Sequence, residues 1–175
     1  RWMLWIATGL FGLIVGVALL AYYFASRSLP DYDQSLSVAG ISAPVEIVRD
    51  HSDIPHIFGQ SDEDVYFALG FAHAQDRMWQ MLTARRTAQG RMAEVFGQTY
   101  LASDVLMRRL DIYNLSLSSV EAQTPQTLAA LDAYSAGVNA WFDEVNAGVH
   151  GRGAPEMWMF NQSIAPWQPA DSIAL

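Results

Sequence analysis

The chain has 175 residues, is 51% hydrophobic and only 16% charged, against about 25% charged in an ordinary globular chain, and suits one domain with an appendage. All 18 acidic residues lie beyond residue 30, where eight Arg and no Lys leave a net charge of −10, which excludes a nucleic-acid partner because neutralising phosphates needs basic surface. The absence of Cys excludes a disulfide framework, a cysteine zinc site and a redox pair.

Much of the missing charge sits in one place. Trp2 to Phe24 is an uncharged run of 23 residues, and about 20 suffice to cross the hydrocarbon core of a bilayer. Trp2 and Trp5 stand at one end and Tyr22 and Tyr23 at the other, as interfacial aromatics do. Signal peptidase sites favour small residues in an A-x-A-like pattern. Tyr23-Phe24-Ala25 fits that pattern poorly and Ser26-Arg27-Ser28 carries a charge. The reading is therefore a transmembrane or signal-anchor segment over 1–25, retained rather than cleaved, with a turn-prone linker over 26–37 and a domain over 38–175.

The domain opens with alternation. Val45, Ile47 and Arg49 interleave with Glu46, Val48 and Asp50, which predicts a strand within 38–50. His51-Ser52-Asp53 predicts a turn, and Ile54 to Phe58 an extended segment, since the residue before Pro55 avoids helix. Ser61 followed by Asp64 predicts a capped helix start with a capping box, the acids meeting the positive helix end. Apolar residues from Val65 to Leu82 recur near a period of 3.6, so the helix is predicted to run to about Thr87 and to end by Gly90. A short helix is expected from Arg91 to Phe96, stopping at Gly97, and a single one from Ser103 to Ser119. Thr124 and Pro125 predict a further helix start. Leu128, Leu131, Tyr134, Val138, Trp141, Phe142 and Val145 make its apolar stripe, with Gly148 beyond its end. An aromatic stretch, Trp158 to Trp167, follows, and Asp171 opens a last apolar run.

Chemistry is harder to locate. There is no G-x-S-x-G elbow. His51, His56 and His73 lack metal-binding spacing, so no metal site is assigned. The sharpest polar segment is Ala72 to Met81 with Arg85 and Arg86. On a regular helix Asp76 reaches Gln80 and His73, while Arg77, Met81 and Arg85 share a face. Polar groups in an otherwise apolar helix predict either a buried ion-pair network that fixes helix packing or direct substrate contact.

Several of these segments resemble one family in order and spacing. They are Val45 to Asp50, Ile54 to Ile57, Asp64 to Met81, Arg85 to Gly97, Tyr134 to Trp141, and Pro166 to Ser172. Together, over roughly 43 to 175, they resemble the opening of the small chain of the penicillin acylases, a family that includes cephalosporin and acyl-homoserine-lactone acylases. The resemblance implies an α+β fold, in which a mostly helical small-chain part wraps a four-layer αββα N-terminal-nucleophile hydrolase, here preceded by one membrane helix. It implies a precursor that cuts itself and a partner large chain whose new N-terminal Ser attacks the amide of a small N-acyl substrate. It implies an extracytoplasmic site of action, usually the periplasm, with anchoring to the inner membrane through residues 2–24. The nucleophile, its oxyanion partners and the Glu that helps bind calcium in some members belong beyond Leu175, so no catalytic residue and no cofactor ligand is assigned here. Asp76, Arg77, Arg85, Arg86 and Glu94 match family positions and are taken as structural or processing residues. The alternative is a membrane-anchored non-catalytic helical scaffold or subunit, and a third reading is an acylase relative that has lost its nucleophile. Trp141, Phe142, Trp158, Met159 and Phe160 are expected to present apolar surface that a large chain covers.

Overall fold

A computed structural model of the chain describes residues 1–159 and 163–175, Trp158 and Met159 by their backbone only. The aromatic stretch read from Trp158 to Trp167 therefore lies partly outside the described residues. Helix α1 spans Trp2–Ser26 and buries no residue. It is the one described helix long and apolar enough to cross a membrane, which fits a signal sequence or an anchor.

Residues 27–45 carry no helix or strand. Strands β1 (Glu46–Arg49) and β2 (Pro55–Phe58) then pair antiparallel, with Arg49 opposite Pro55. The predicted strand within 38–50 is thus only four residues long. The turn is built by Asp50, whose carboxylate accepts from the Ser52 and Ile54 amides at 2.8 and 3.1 Å. Those bonds hold the carboxyl below its usual range. Asp53 takes the left-handed conformation at φ 58°, which Asp tolerates better than most side chains.

Helix α2 spans Asp62–Ala88 and α6 spans Pro125–Asn146. Ser61 and Thr124 cap them as predicted, each accepting from the amide three residues on. The capping box at α2 is only half made. The Asp64 carboxylate turns away to the Ser42 amide and hydroxyl, each at 2.7 Å, because a buried acid needs more donors than the helix end leaves it. α2 is also broken at Arg77, whose φ of −130° and ψ of 20° lie outside the helix region.

The two long helices cross where glycine meets glycine. A Cβ at Gly70 would run into the Tyr134 carbonyl, and one at Gly137 into the Phe67 carbonyl. That close approach seals the core of Phe71, Met78, Leu82, Val138, Trp141 and Phe142. Trp141 and Phe142 are 0% and 1% exposed, so the expectation that they present surface to another chain is corrected: α2 already covers them. Trp158, Met159 and Phe160, named with them, have no described side chains.

Between the long helices lie α3 (Ala93–Phe96), a 3-10 turn, α4 (Leu101–Leu110) and α5 (Ile112–Glu121). The single helix expected from Ser103 to Ser119 is two, divided at Asp111, which sits at φ 57°. Outside α1, apolar exposure gathers there, at Leu101, Leu106, Leu110, Leu115 and Leu117. A 3-10 turn (Pro155–Met159) and α7 (Pro169–Ile173) complete the described elements.

Candidate functional site

Two arginine–aspartate clusters frame α2, one near its middle and one near its end. In the first, Asp76 does not pair with Gln80 as a regular helix would have it. Its carboxylate receives both Arg49 nitrogens from β1, at 3.0 and 2.8 Å. Arg49 also donates to the Asp53 carbonyl at 3.0 Å and reaches the Gln75 side chain at 3.5 Å. Tyr32 completes the cluster, its ring 3.8 Å from the guanidinium carbon and its hydroxyl donating to Asp76 at 3.0 Å. Burial and the adjacent carboxylate push the Tyr32 phenol up. Fork-to-carboxylate pairing of this kind fixes geometry as well as adding energy. The cluster borders a cavity of about 410 Å³ lined by Tyr32, Ile41, Arg49, Phe67, Phe71 and Gln75 among others.

In the second cluster Arg85, buried within the chain, donates to the carbonyls of Ala165 and Pro166 at 3.2 and 3.0 Å and approaches Asp171 at 3.5 Å. Its guanidinium lies over the Trp167 ring at 5.3 Å. Asp171 also receives the Tyr113 hydroxyl and the Gln168 amide, both at 2.8 Å. Burial pulls the Arg85 guanidinium down from its ordinary value, against the opposing pull of Asp171. Tyr113 is pushed up by burial and by its bond to Asp171.

The remaining candidates are peripheral. Arg86 and Arg91 both meet Glu94, at 3.4 and 2.8 Å, on exposed surface where such pairs add about 0–1 kcal/mol. Arg77 is exposed; the break in α2 at that residue carries it off the face that Met81 and Arg85 share, which corrects the predicted stripe. The histidines do not converge. His56 approaches Asp50 at 3.4 Å and His73 bonds the Tyr134 hydroxyl at 3.0 Å. Partial burial lowers the His73 imidazole. Among the described residues no three His, Asp or Glu side chains could hold a metal. Asp76 and Arg85 spend their bonding capacity on protein partners, so the two clusters act chemically as clamps, presenting neither a free base nor an open anion site.

The family model for penicillin amidase matches residues 44–175. The chain belongs to the penicillin amidase family. It is 41% identical over 151 residues to the penicillin acylase 2 proenzyme of Pseudomonas sp. strain SE83, covering 85% of this chain and 18% of that protein. It is 30% identical over 154 residues to the penicillin G acylase of Escherichia coli, with 88% of this chain and 17% of that protein covered. An acyl-homoserine lactone acylase QuiP of Pseudomonas fluorescens strain Pf0-1 is 32% identical over 139 residues, covering 77% of this chain and 17% of that protein. The fold matches a chain of the thermostable penicillin G acylase from Alcaligenes faecalis with a TM-score of 0.66 and 27% identity, covering 75% of this chain and 69% of that one. The chain spans less than a fifth of the length of these curated relatives.

Several residues that organise the clamps are not singled out by sequence. Arg49 is 27 residues from Asp76, and only the hairpin brings them together. Asn139 and Asn146 each clasp one residue of the last segment. Asn139 donates to the Trp167 carbonyl at 2.9 Å and accepts from its amide at 2.6 Å. Asn146 does the same for Ile164, at 3.0 and 2.9 Å. Their spacing, about two helical turns, was the available signal: two amides on one face of α6. Asp104 accepts from the Met92 and Ala93 amides at 2.9 and 2.7 Å, capping α3 from a distance. No local pattern announces that role.

Proposed function

We propose that the chain is the N-terminal part of a self-processing acylase that hydrolyses a linear amide bond of an N-acyl substrate of the penicillin, cephalosporin or acyl-homoserine-lactone type. The match to the penicillin amidase family over 44–175 carries this reading. In it the chain is the mostly helical small-chain part of a four-layer αββα N-terminal-nucleophile hydrolase. The exposed apolar face of α4 and α5 is the surface the rest of the precursor covers. The nucleophile is a Ser freed by self-cleavage at the start of a large chain. Its hydroxyl oxygen adds to the substrate carbonyl while its own α-amino group takes the proton. The amine leaves with that proton, and water then hydrolyses the acyl ester.

The residues of this chain serve that chemistry by position. The Arg49–Asp76 and Arg85–Asp171 clamps fix the hairpin and the 163–173 segment on α2, and so hold the geometry in which cleavage occurs. Conservative replacements such as Asp76→Asn or Arg85→Lys are expected to impair folding or processing. Intact processing with a shifted substrate preference would refute that role. Where the complete enzyme binds calcium, the resemblance places the Glu that helps hold it beyond Leu175. The acidic domain works outside the cytoplasm, in the periplasm, held to the inner membrane by α1. The test is N-terminal sequencing of every chain purified from expression of the complete gene. A second chain beginning with Ser supports the proposal; a single intact chain in an inactive product favours the scaffold or the dead relative.

A further inference from the structure

We infer that the domain is docked on its membrane helix rather than tethered to it, and that the turn over 147–152 rests against the bilayer around α1. This rests on the reading of α1 as a retained anchor. Arg27 marks the interface. It follows an apolar helix of 25 residues, and its guanidinium donates to the Tyr23 hydroxyl at 3.1 Å, as a snorkelling cation beside an interfacial aromatic would. The next residue is already part of the domain. Ser28 is 1% exposed, and its hydroxyl donates back to the Phe24 carbonyl at 3.4 Å.

What buries that junction is the turn after α6. Gly151, at φ +59°, lies so close to Arg27 that a Cβ there would stand 2.7 Å from the Arg27 carbonyl oxygen. The turn cannot drift away freely. Gly148 and Gly153 also hold positive φ. His150 is buried and stacks on Trp141 at 4.4 Å, and Gly153 packs on Met78 and Val145. His150 and Gly153 fix the turn to the core, and Val149, just before His150, faces outward, 61% exposed, two residues from the contact with the helix end. Four residues beyond Ser28, Tyr32 is pinned by Arg49 and Asp76. Two attachments within six residues, Arg27 to Tyr32, leave little slack between span and domain. A domain of net charge −10 on a free linker would be repelled by an anionic leaflet; the docked junction holds it there.

The test uses the complete protein in a background without other cysteines, reconstituted into vesicles of phosphatidylethanolamine and phosphatidylglycerol. A fluorophore on Val149→Cys is quenched by spin-labelled headgroup lipid, and Gln126→Cys serves as comparison, roughly 30 Å away at the other end of α6. The expected result is severalfold stronger quenching at Val149, falling towards background when Gly151→Val or Tyr32→Ala is added. The second variant covers the case in which the first does not fold. Flotation separates the two readings. Protein that fails to float with vesicles removes the anchor and the docking together. Protein that floats with a Val149 probe at background quenching leaves the anchor and overturns the docking.

Discussion

Gly137→Ala is the sharpest test of the helix crossing. By intrinsic propensity the change should help, since Ala is favoured over Gly in a helix interior by about 1 kcal/mol. At this site the new methyl would fall on the Phe67 carbonyl and crowd the Phe71 amide, and backbone atoms cannot rotate aside as a side chain can. Overpacking of a tight core costs about 1–3 kcal/mol, occasionally more, and contact with backbone puts this case at the upper end. The net expectation is a loss of about 2 kcal/mol, opposite in sign to the propensity. The matched control is Ala136→Gly on the exposed side of the same turn, which should lose only about 1 kcal/mol. Urea unfolding of the complete protein, followed by tryptophan fluorescence, reads both; Trp141 lies in the sealed core below the crossing. A Gly137→Ala variant as stable as the parent, or more stable, would refute the close crossing.

Other perturbations address the clamps. Arg85→Ala leaves Asp171 buried without its cation and strips the Ala165 and Pro166 carbonyls of a donor, so unfolding should be easier by about 3–5 kcal/mol; Tyr113→Phe, removing one bond to the same carboxylate, should cost nearer 1 kcal/mol. Asn139→Asp removes the donor to the Trp167 carbonyl and sets two oxygens against each other, for an expected loss of about 1–3 kcal/mol in the same urea series. Asp64 is held below its ordinary value of 3.8 by the Ser42 amide and hydroxyl. Its folded state therefore gains stability above about pH 4 that is lost as pH falls through the depressed value. Melting temperatures between pH 2 and 5 should fall less steeply for Asp64→Asn than for the parent.

Local signals carried the sequence reading where the physics is local. Ser61 and Thr124 cap through their own hydroxyls three residues away, and the positions of α2 and α6 follow from cap and periodicity. Sequence misleads where a partner lies far along the chain. Asp64 and Asp76 had near neighbours that a regular helix would offer, Ser61 and Gln80, but donors from Ser42 and from Arg49 with Tyr32 won, because a buried or half-buried carboxylate takes the strongest donors available. The split at Asp111 is invisible in sequence because Leu106, Leu110, Tyr113 and Leu117 keep to one helical face across it. The sequence predicts Trp141 and Phe142 at the surface because it does not announce that two glycines, 67 residues apart, let α2 close over them. The clamps were legible only as a surplus of polar residues on α2; Arg49, Asn139 and Asn146 needed the fold.

The two asparagine clasps have a consequence for how this region can change. Each side-chain amide reads the backbone N–H and C=O of one residue, and nothing of the side chain between them. The segment from Ile164 to Trp167 is thus held much as a strand is held by its neighbour, with a helix face in the neighbour's place. Such a hold is blind to residue type at the positions it grips. Drift at Ser163 or Ala165 leaves it intact, whereas a single atom exchanged at Asn139, amide nitrogen for oxygen, turns attraction into repulsion. Deamidation is the covalent form of that exchange, and at Asn139 it would open the seam between α6 and the segment it clasps.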